Sequence, residues 1–297
     1  MRLLHSSTDA AVGGRATLLL TAAAALYACL VYLRLYPAIY LPALVVFVAT
    51  RFGKEDRDRS KLPTWRQCMH SLLWGAWFVL VFIACYAALV TACHTQFGWL
   101  GIEQSILYHF GRSDHRHNFS PHFLEAFLSY EVGAGSILAS GEFTRVLRSL
   151  ASFAPQATVI TLMAVRFTES SLSATLLLQT MVFVSMNKVC TAQYFMWYMC
   201  LFPVAVAVPP HPHSDRRLDT CILGANKGSI MWVFPLLWGL SVGLWLLSAY
   251  QLEFSWELLC DFFQLCDLNM FALVWVCSLL FYSVNIVCIT ACMYSLF

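Results

Sequence analysis

Charge is what this chain has least of. Only 11% of its 297 residues are Asp, Glu, Lys or Arg, where an ordinary soluble domain carries about a quarter. Residues 67–102, 228–252 and 268–297 contain none at all. That scarcity argues against a soluble globule and for lipid as the solvent. No basic block is present and the net charge is only +2, which argues against nucleic acid as a partner. No Cys-x-x-Cys pair occurs, so nothing suggests a structural zinc. The first fifteen residues are too polar for a secretory signal. There is no internal repeat and no low-complexity linker.

What the chain has instead is apolar sequence. It is 60% hydrophobic with a mean hydropathy of +0.68. Apolar spans lie near 16–33, 36–50, 71–93, 149–165, 171–187, 194–208, 229–251 and 270–295. These predict an all-α polytopic membrane protein of about seven to eight spans, each helix satisfying its own backbone in hydrocarbon. A polar segment, 1–15, precedes one membrane domain over 16–297. The first two spans are separated only by Arg34 to Pro37, and Pro42 interrupts the second, which predicts a broken helix pair. Arg34 is costly in lipid and is expected to face a partner or a polar cavity. Most of the twelve cysteines lie in apolar runs, where they act as small hydrophobes. Cys260 and Cys266 are exceptions, but six residues make a tight loop for a bridge.

The charges that do exist are unevenly placed. Residues 51–70 hold six of the eighteen Lys and Arg, which predicts a cytoplasmic loop. Residues 94–148 and 188–193 then fall on the opposite face, and 209–228 is cytoplasmic again. The segment 123–140 embeds Glu125 and Glu131 in apolar sequence. Two carboxylates make a crossing expensive, so an interfacial helix is expected there.

On the non-cytoplasmic face the densest polar stretch is "GRSDHRHNFSPHF" (111–123). Arg112 and Arg116 can fork onto phosphate oxygens, with His115 and His117 as further donors or as acid and base. An ordinary solvated loop at headgroup depth is the competing explanation. A metal cluster of His109, Asp114, His115, His117 and His122 matches no established ligand spacing. Asn118 heads a nominal glycosylation acceptor, but Pro121 and the membrane surface disfavour modification. In "MNKVCTAQYFMWYM" (186–199), Asn187, Lys188 and Gln193 stand at a membrane boundary. Lys188 either neutralises a lipid phosphate or simply snorkels from a helix end. Asp56 and Asp58 form the only Asp-x-Asp, in the basic loop on the other face, where a solvated turn is the simpler account.

Two of these stretches, "RSDHRHNFSPHF" and "NKVCTAQYFMWYMCLFP" (187–203), closely resemble the PIG-M family, catalytic subunits of glycosylphosphatidylinositol (GPI) mannosyltransferase I. "YLRLYPAIYLP" (32–42) and "YQLEFSWE" (250–257) are similar to further segments of that family. The resemblance implies a GT-C-type transmembrane bundle in the endoplasmic reticulum with its active face luminal. It implies α-1,4 transfer of the first mannose from dolichyl-phosphate-mannose to glucosaminyl-(acyl)phosphatidylinositol. The implied partners are these lipids and a small PIG-X-like subunit, with no metal and no cofactor beyond the donor. The implied substrate-binding residues are Arg112, Asp114, His115, Arg116, His117, Asn118, Asn187, Lys188 and Gln193. The family carries its acidic catalytic motif in a first luminal loop, and residues 1–15 hold one acid, Asp9. The expectation is therefore a chain matching the C-terminal two-thirds of the family, with its catalytic base upstream of Met1 and no activity alone. The alternative is a non-catalytic membrane subunit or a degenerate copy. A transporter would show a second broken helix, and no copy of 34–42 exists.

Overall fold

The computed structural model describes residues 2–52, 65–111, 117–132, 142–207, 227–254 and 270–296. Among them the only regular structure is helix. Ten α-helices are α1 (Arg2–Leu33), α2 (Leu41–Phe52), α3 (Trp65–Ile102), α4 (Tyr108–Gly111), α5 (Phe123–Val132), α6 (Glu142–Phe167), α7 (Leu172–Met186), α8 (Phe195–Ala207), α9 (Lys227–Phe254) and α10 (Met270–Leu296). Each of the eight predicted apolar spans coincides with one of these helices. Four stretches are long and apolar enough to cross a membrane: Gly14–Leu33, Trp65–Leu107, Pro235–Phe254 and Met270–Tyr294. The other apolar helices are of 10–17 residues, and a 15-residue helix rises only about 22 Å. So the count of full-length crossings among the described residues is smaller than the count of apolar spans. This is an all-α polytopic membrane protein. Its crossing helices turn Leu18, Leu72, Leu80, Leu236 and Leu247 outward, as a lipid solvent requires.

The chain divides into two compact units, Met1–Phe110 and Gly111–Phe297. In the first, α1, α2 and α3 pack around Leu20, Ala24, Tyr27, Ala28, Val31, Val48, Phe78 and Phe82. Alanines at 24 and 28, both fully buried, let α1 approach closely, the usual device where lipid gives helices no hydrophobic drive to associate. Tyr27 supplies bulk between them, its ring 5.2 Å from that of Phe82. Its hydroxyl donates to the Pro37 carbonyl at 2.8 Å. That bond ties the Tyr36–Tyr40 3-10 turn back onto α1.

The predicted break between the first two spans is present, with one correction. Pro42 does not interrupt α2. It is the second residue of that helix, in the first turn, where a missing N–H costs nothing. Arg34 directly follows α1 and is exposed. α3 kinks at Gly98, whose φ of 65° is a conformation only glycine adopts cheaply.

In the second unit α7 is the hub, with Leu177, Leu178, Gln179, Thr175 and Thr180 all fully buried. It packs against α6, α8 and α10. Two glutamines bond α6 and α7 reciprocally. Gln156 Nε2 donates to the Phe183 carbonyl at 2.8 Å and Gln179 Nε2 donates to the Ile160 carbonyl at 3.1 Å. α9 and α10 form a second antiparallel pair, bridged by Trp245 Nε1–H to Ser278 Oγ at 2.9 Å. α5 has ten residues, a rise of about 15 Å, half the hydrocarbon thickness. By itself it is no crossing.

Candidate functional site

Residues 117–123 form a corner built from the inside out. Asn118, Phe119 and Ser120 are buried to 0%, 3% and 1% exposure, although the sequence around them is polar. The Asn118 side chain explains why. Its Oδ1 accepts from the backbone N–H of Ser120 at 3.0 Å and of Cys190 at 2.9 Å. Its Nδ2 donates to the Lys188 carbonyl at 2.8 Å. One backbone bond completes the seam, Phe119 N–H to the Cys190 carbonyl at 2.8 Å. The stretch 187–191 leaves α7 through Asn187 in extended backbone and enters the Ala192–Tyr194 3-10 turn from Thr191, also extended. Extended backbone has open hydrogen-bonding groups, and the Asn118 amide satisfies them.

The Phe119 ring anchors the corner. It stacks on Trp245 at 3.8 Å and 23°, and meets Phe195 edge-on at 5.1 Å and Phe281 at 5.5 Å. From α10, Trp275 Nε1 donates to the Pro121 carbonyl at 3.1 Å, and Phe271 stacks on Phe127 at 4.1 Å. Four helices, α5, α8, α9 and α10, therefore fix where residues 117–123 sit.

The predicted site residues fall into three groups. His117, Asn118, Asn187 and Lys188 are brought together by the seam. His117 is exposed, and Asn187 and Lys188 are half-buried. Gln193 is exposed, one turn further on. Arg112, Asp114, His115 and Arg116 lie outside the described residues, as do Asp56, Asp58, Cys260 and Cys266. Among the described residues no three His, Cys, Asp or Glu side chains gather to hold a metal. The Asn118 amide is committed within the fold, which leaves no accessible nitrogen for a glycan. Burial raises the Cys190 thiol to about 12, so it stays a neutral packing group. Nothing in the sequence flagged Trp275, Gln156 or Gln179. A glutamine inside an apolar helix is itself a signal, because lipid forces such a side chain to find a partner.

Residues 14–293 match the family described as "Mannosyltransferase (PIG-M)". The chain belongs to that family. It is 34% identical over 268 residues to "GPI alpha-1,4-mannosyltransferase I, catalytic subunit" of Danio rerio, covering 89% of this chain and 56% of that protein. It is 29% identical over 276 residues to "GPI mannosyltransferase 1" of Dictyostelium discoideum, covering 90% of this chain and 56% of that protein. With the Schizosaccharomyces pombe protein of the same name the identity is 40% over 152 residues, 51% of this chain and 34% of that protein. The chain thus spans about half the length of the curated relatives it matches most extensively. The PIG-M match covers both motif stretches, whose seam is the most constrained polar feature of the second unit.

Proposed function

We propose that the chain supplies the lipid-headgroup platform of a GPI mannosyltransferase. The reaction is transfer of the first mannose, in α-1,4 linkage, from dolichyl-phosphate-mannose to glucosaminyl-(acyl)phosphatidylinositol. It takes place on the luminal face of the endoplasmic reticulum, with a small PIG-X-like subunit as partner. Both substrates are anionic lipids, so the site must hold phosphate at a membrane boundary. The observation that carries this is the Asn118 seam. It bonds the Lys188 backbone to Asn118, the residue that follows His117 and the run Arg112–Arg116 in sequence. Lys188 pairs a phosphate, with Arg112, His115 and Arg116 as further donors. Asn187 and Gln193 offer amides, and Asp114 an acceptor, to sugar hydroxyls. Asn118 acts by holding Lys188, not by touching lipid.

The chemistry is an inverting displacement. The acceptor hydroxyl gives its proton to a carboxylate base as it attacks the anomeric carbon, while the bond from that carbon to the phosphate oxygen breaks. The electron pair leaves with dolichyl phosphate, which needs no strong acid to depart. The chain's own cations stabilise the charge that grows on the leaving phosphate.

The test supplies the length that the relatives have beyond the matched region. The corresponding Danio rerio residues are joined to this chain and expressed in cells lacking the enzyme. GPI-anchored proteins are then counted at the surface. The expected result is restoration by the chimera and at least a tenfold smaller signal for Lys188→Ala at equal protein level, the size expected for removing a charge-assisted contact. A chimera that accumulates but restores nothing overturns the proposal and favours a non-catalytic subunit.

A further inference from the structure

His122 and Glu125 stand outside the phosphate-binding set proposed above. The structure couples them. His122 Nδ1 lies 3.2 Å from Glu125 Oε2. A carboxylate only accepts, so the shared proton sits on Nδ1, and Nε2 is the ring nitrogen left for a ligand. The two side chains are 49% and 81% exposed. Directly beneath them the chain is buried and bonded at each residue. His122 N–H donates to Ser120 Oγ at 3.2 Å, Phe123 N–H to the Ser120 carbonyl at 3.0 Å and Ala126 N–H to the His122 carbonyl at 2.9 Å. The Pro121 carbonyl is held from α10 by Trp275. An exposed imidazole with its Nδ1 held by a carboxylate is thus mounted on a corner bonded from α10 and from the Lys188 stretch.

We infer that His122, oriented by Glu125, binds a hydroxyl of the acceptor sugar. This rests on the function proposed above and deepens it. The chemistry separates this dyad from the phosphate-binding groups. An imidazole nitrogen can accept or donate a hydrogen bond, so it suits the O–H groups of a sugar, which do both. Lys188 suits the anion. The fold thus sorts the headgroup, with cations for the phosphate and the dyad for the sugar next to it.

A plain helix cap would also place these residues so. His122 is the N-cap of α5 and Glu125 lies in its first turn, where a negative charge is favoured. His122→Asn separates the two roles, because Asn caps a helix at least as well but has no imidazole. Glu125→Gln removes the carboxylate and keeps an oxygen that can accept from Nδ1.

The measurement is binding of the purified chain in nanodiscs to glucosaminyl-phosphatidylinositol and, separately, to phosphatidylinositol without the sugar. The wild-type chain is expected to prefer the glucosaminyl lipid. His122→Asn should reduce that preference about tenfold or more, and Glu125→Gln about threefold, the range for a hydroxyl bond to a polarised acceptor. Melting temperature should hold in both. A preference that survives His122→Asn overturns the dyad and leaves the proposed function standing. A loss matched by a fall in melting temperature assigns the pair to capping and also overturns it. A wild-type chain with no preference for the sugar defeats the proposed function, and the dyad with it.

Discussion

The two units bury different things. Among the described residues, all of the buried Asn, Gln, Ser and Thr belong to the second unit, from Asn118 to Asn285. The first unit is held by rings and small residues, Tyr27 on Phe82 at 5.2 Å and Phe52 on Trp74 at 5.4 Å. The second also has rings, but its connections run through side-chain amides. Lipid makes polar groups expensive unless a partner satisfies them. Polar burial here marks where the chain must hold an irregular stretch of backbone in one place. Non-helical backbone must have its hydrogen-bonding groups satisfied, and at 187–191 the Asn118 amide does this for the Cys190 N–H and the Lys188 carbonyl.

This contrast can be broken at its strongest point first. Asn118→Ala removes three hydrogen bonds and strands the N–H of Cys190, the N–H of Ser120 and the carbonyl of Lys188. At about 1–3 kcal/mol per stranded group, the loss should exceed about 3 kcal/mol, and the variant should fail to accumulate or melt far below wild type in detergent. Asn118→Asp keeps the acceptor but loses the donor to Lys188, and should recover only part. If Asn118→Ala melts like wild type, the seam is not what positions Lys188.

Next come the glutamines. Gln179→Ala leaves a void at a fully buried position and should cost about 2–3 kcal/mol, whereas Gln179→Leu fills the space and should cost under about 1 kcal/mol. Thermal unfolding of the pair separates packing from bonding. In the first unit Tyr27→Phe removes only the bond to Pro37, and about 1 kcal/mol is expected. A loss as large as that of Asn118→Ala would erase the contrast between the units. The smallest effect is chemical. Cys190 is 1% exposed and its thiol, pushed up to about 12 by burial, stays protonated up to pH 10. A maleimide should label exposed Cys68 and spare Cys190 until the protein is unfolded, as peptide mapping would report.

Helix placement was legible because charge-free runs leave the backbone no alternative. Each predicted span met a helix, and only the number of full-length crossings needed the structure, since 13- and 15-residue helices (α8 and α7) read as spans by hydropathy alone. Pro42 misled because a proline looks like an interruption from either side of a helix start. The site was half legible. Lys188 and Asn118 stood out as polar residues in two separate stretches. That one holds the other by its carbonyl was not, because a contact across seventy residues leaves no mark in local pattern. His122 and Glu125 were visible three residues apart, but periodicity could not say that their side chains meet.

The crossed glutamines of α6 and α7 have a mechanical consequence. Greasy helices in lipid can slide past one another at little energetic expense, since every register offers similar contacts. Two amide rungs about one turn apart remove both sliding and rolling. α6 and α7 therefore behave as one strut, footed at the Thr168–Ser171 turn and ending at Asn187, where the extended stretch begins. A load applied at the foot is carried to the Asn187 end, so the Asn118 seam rides on a stiff beam in a fluid surround.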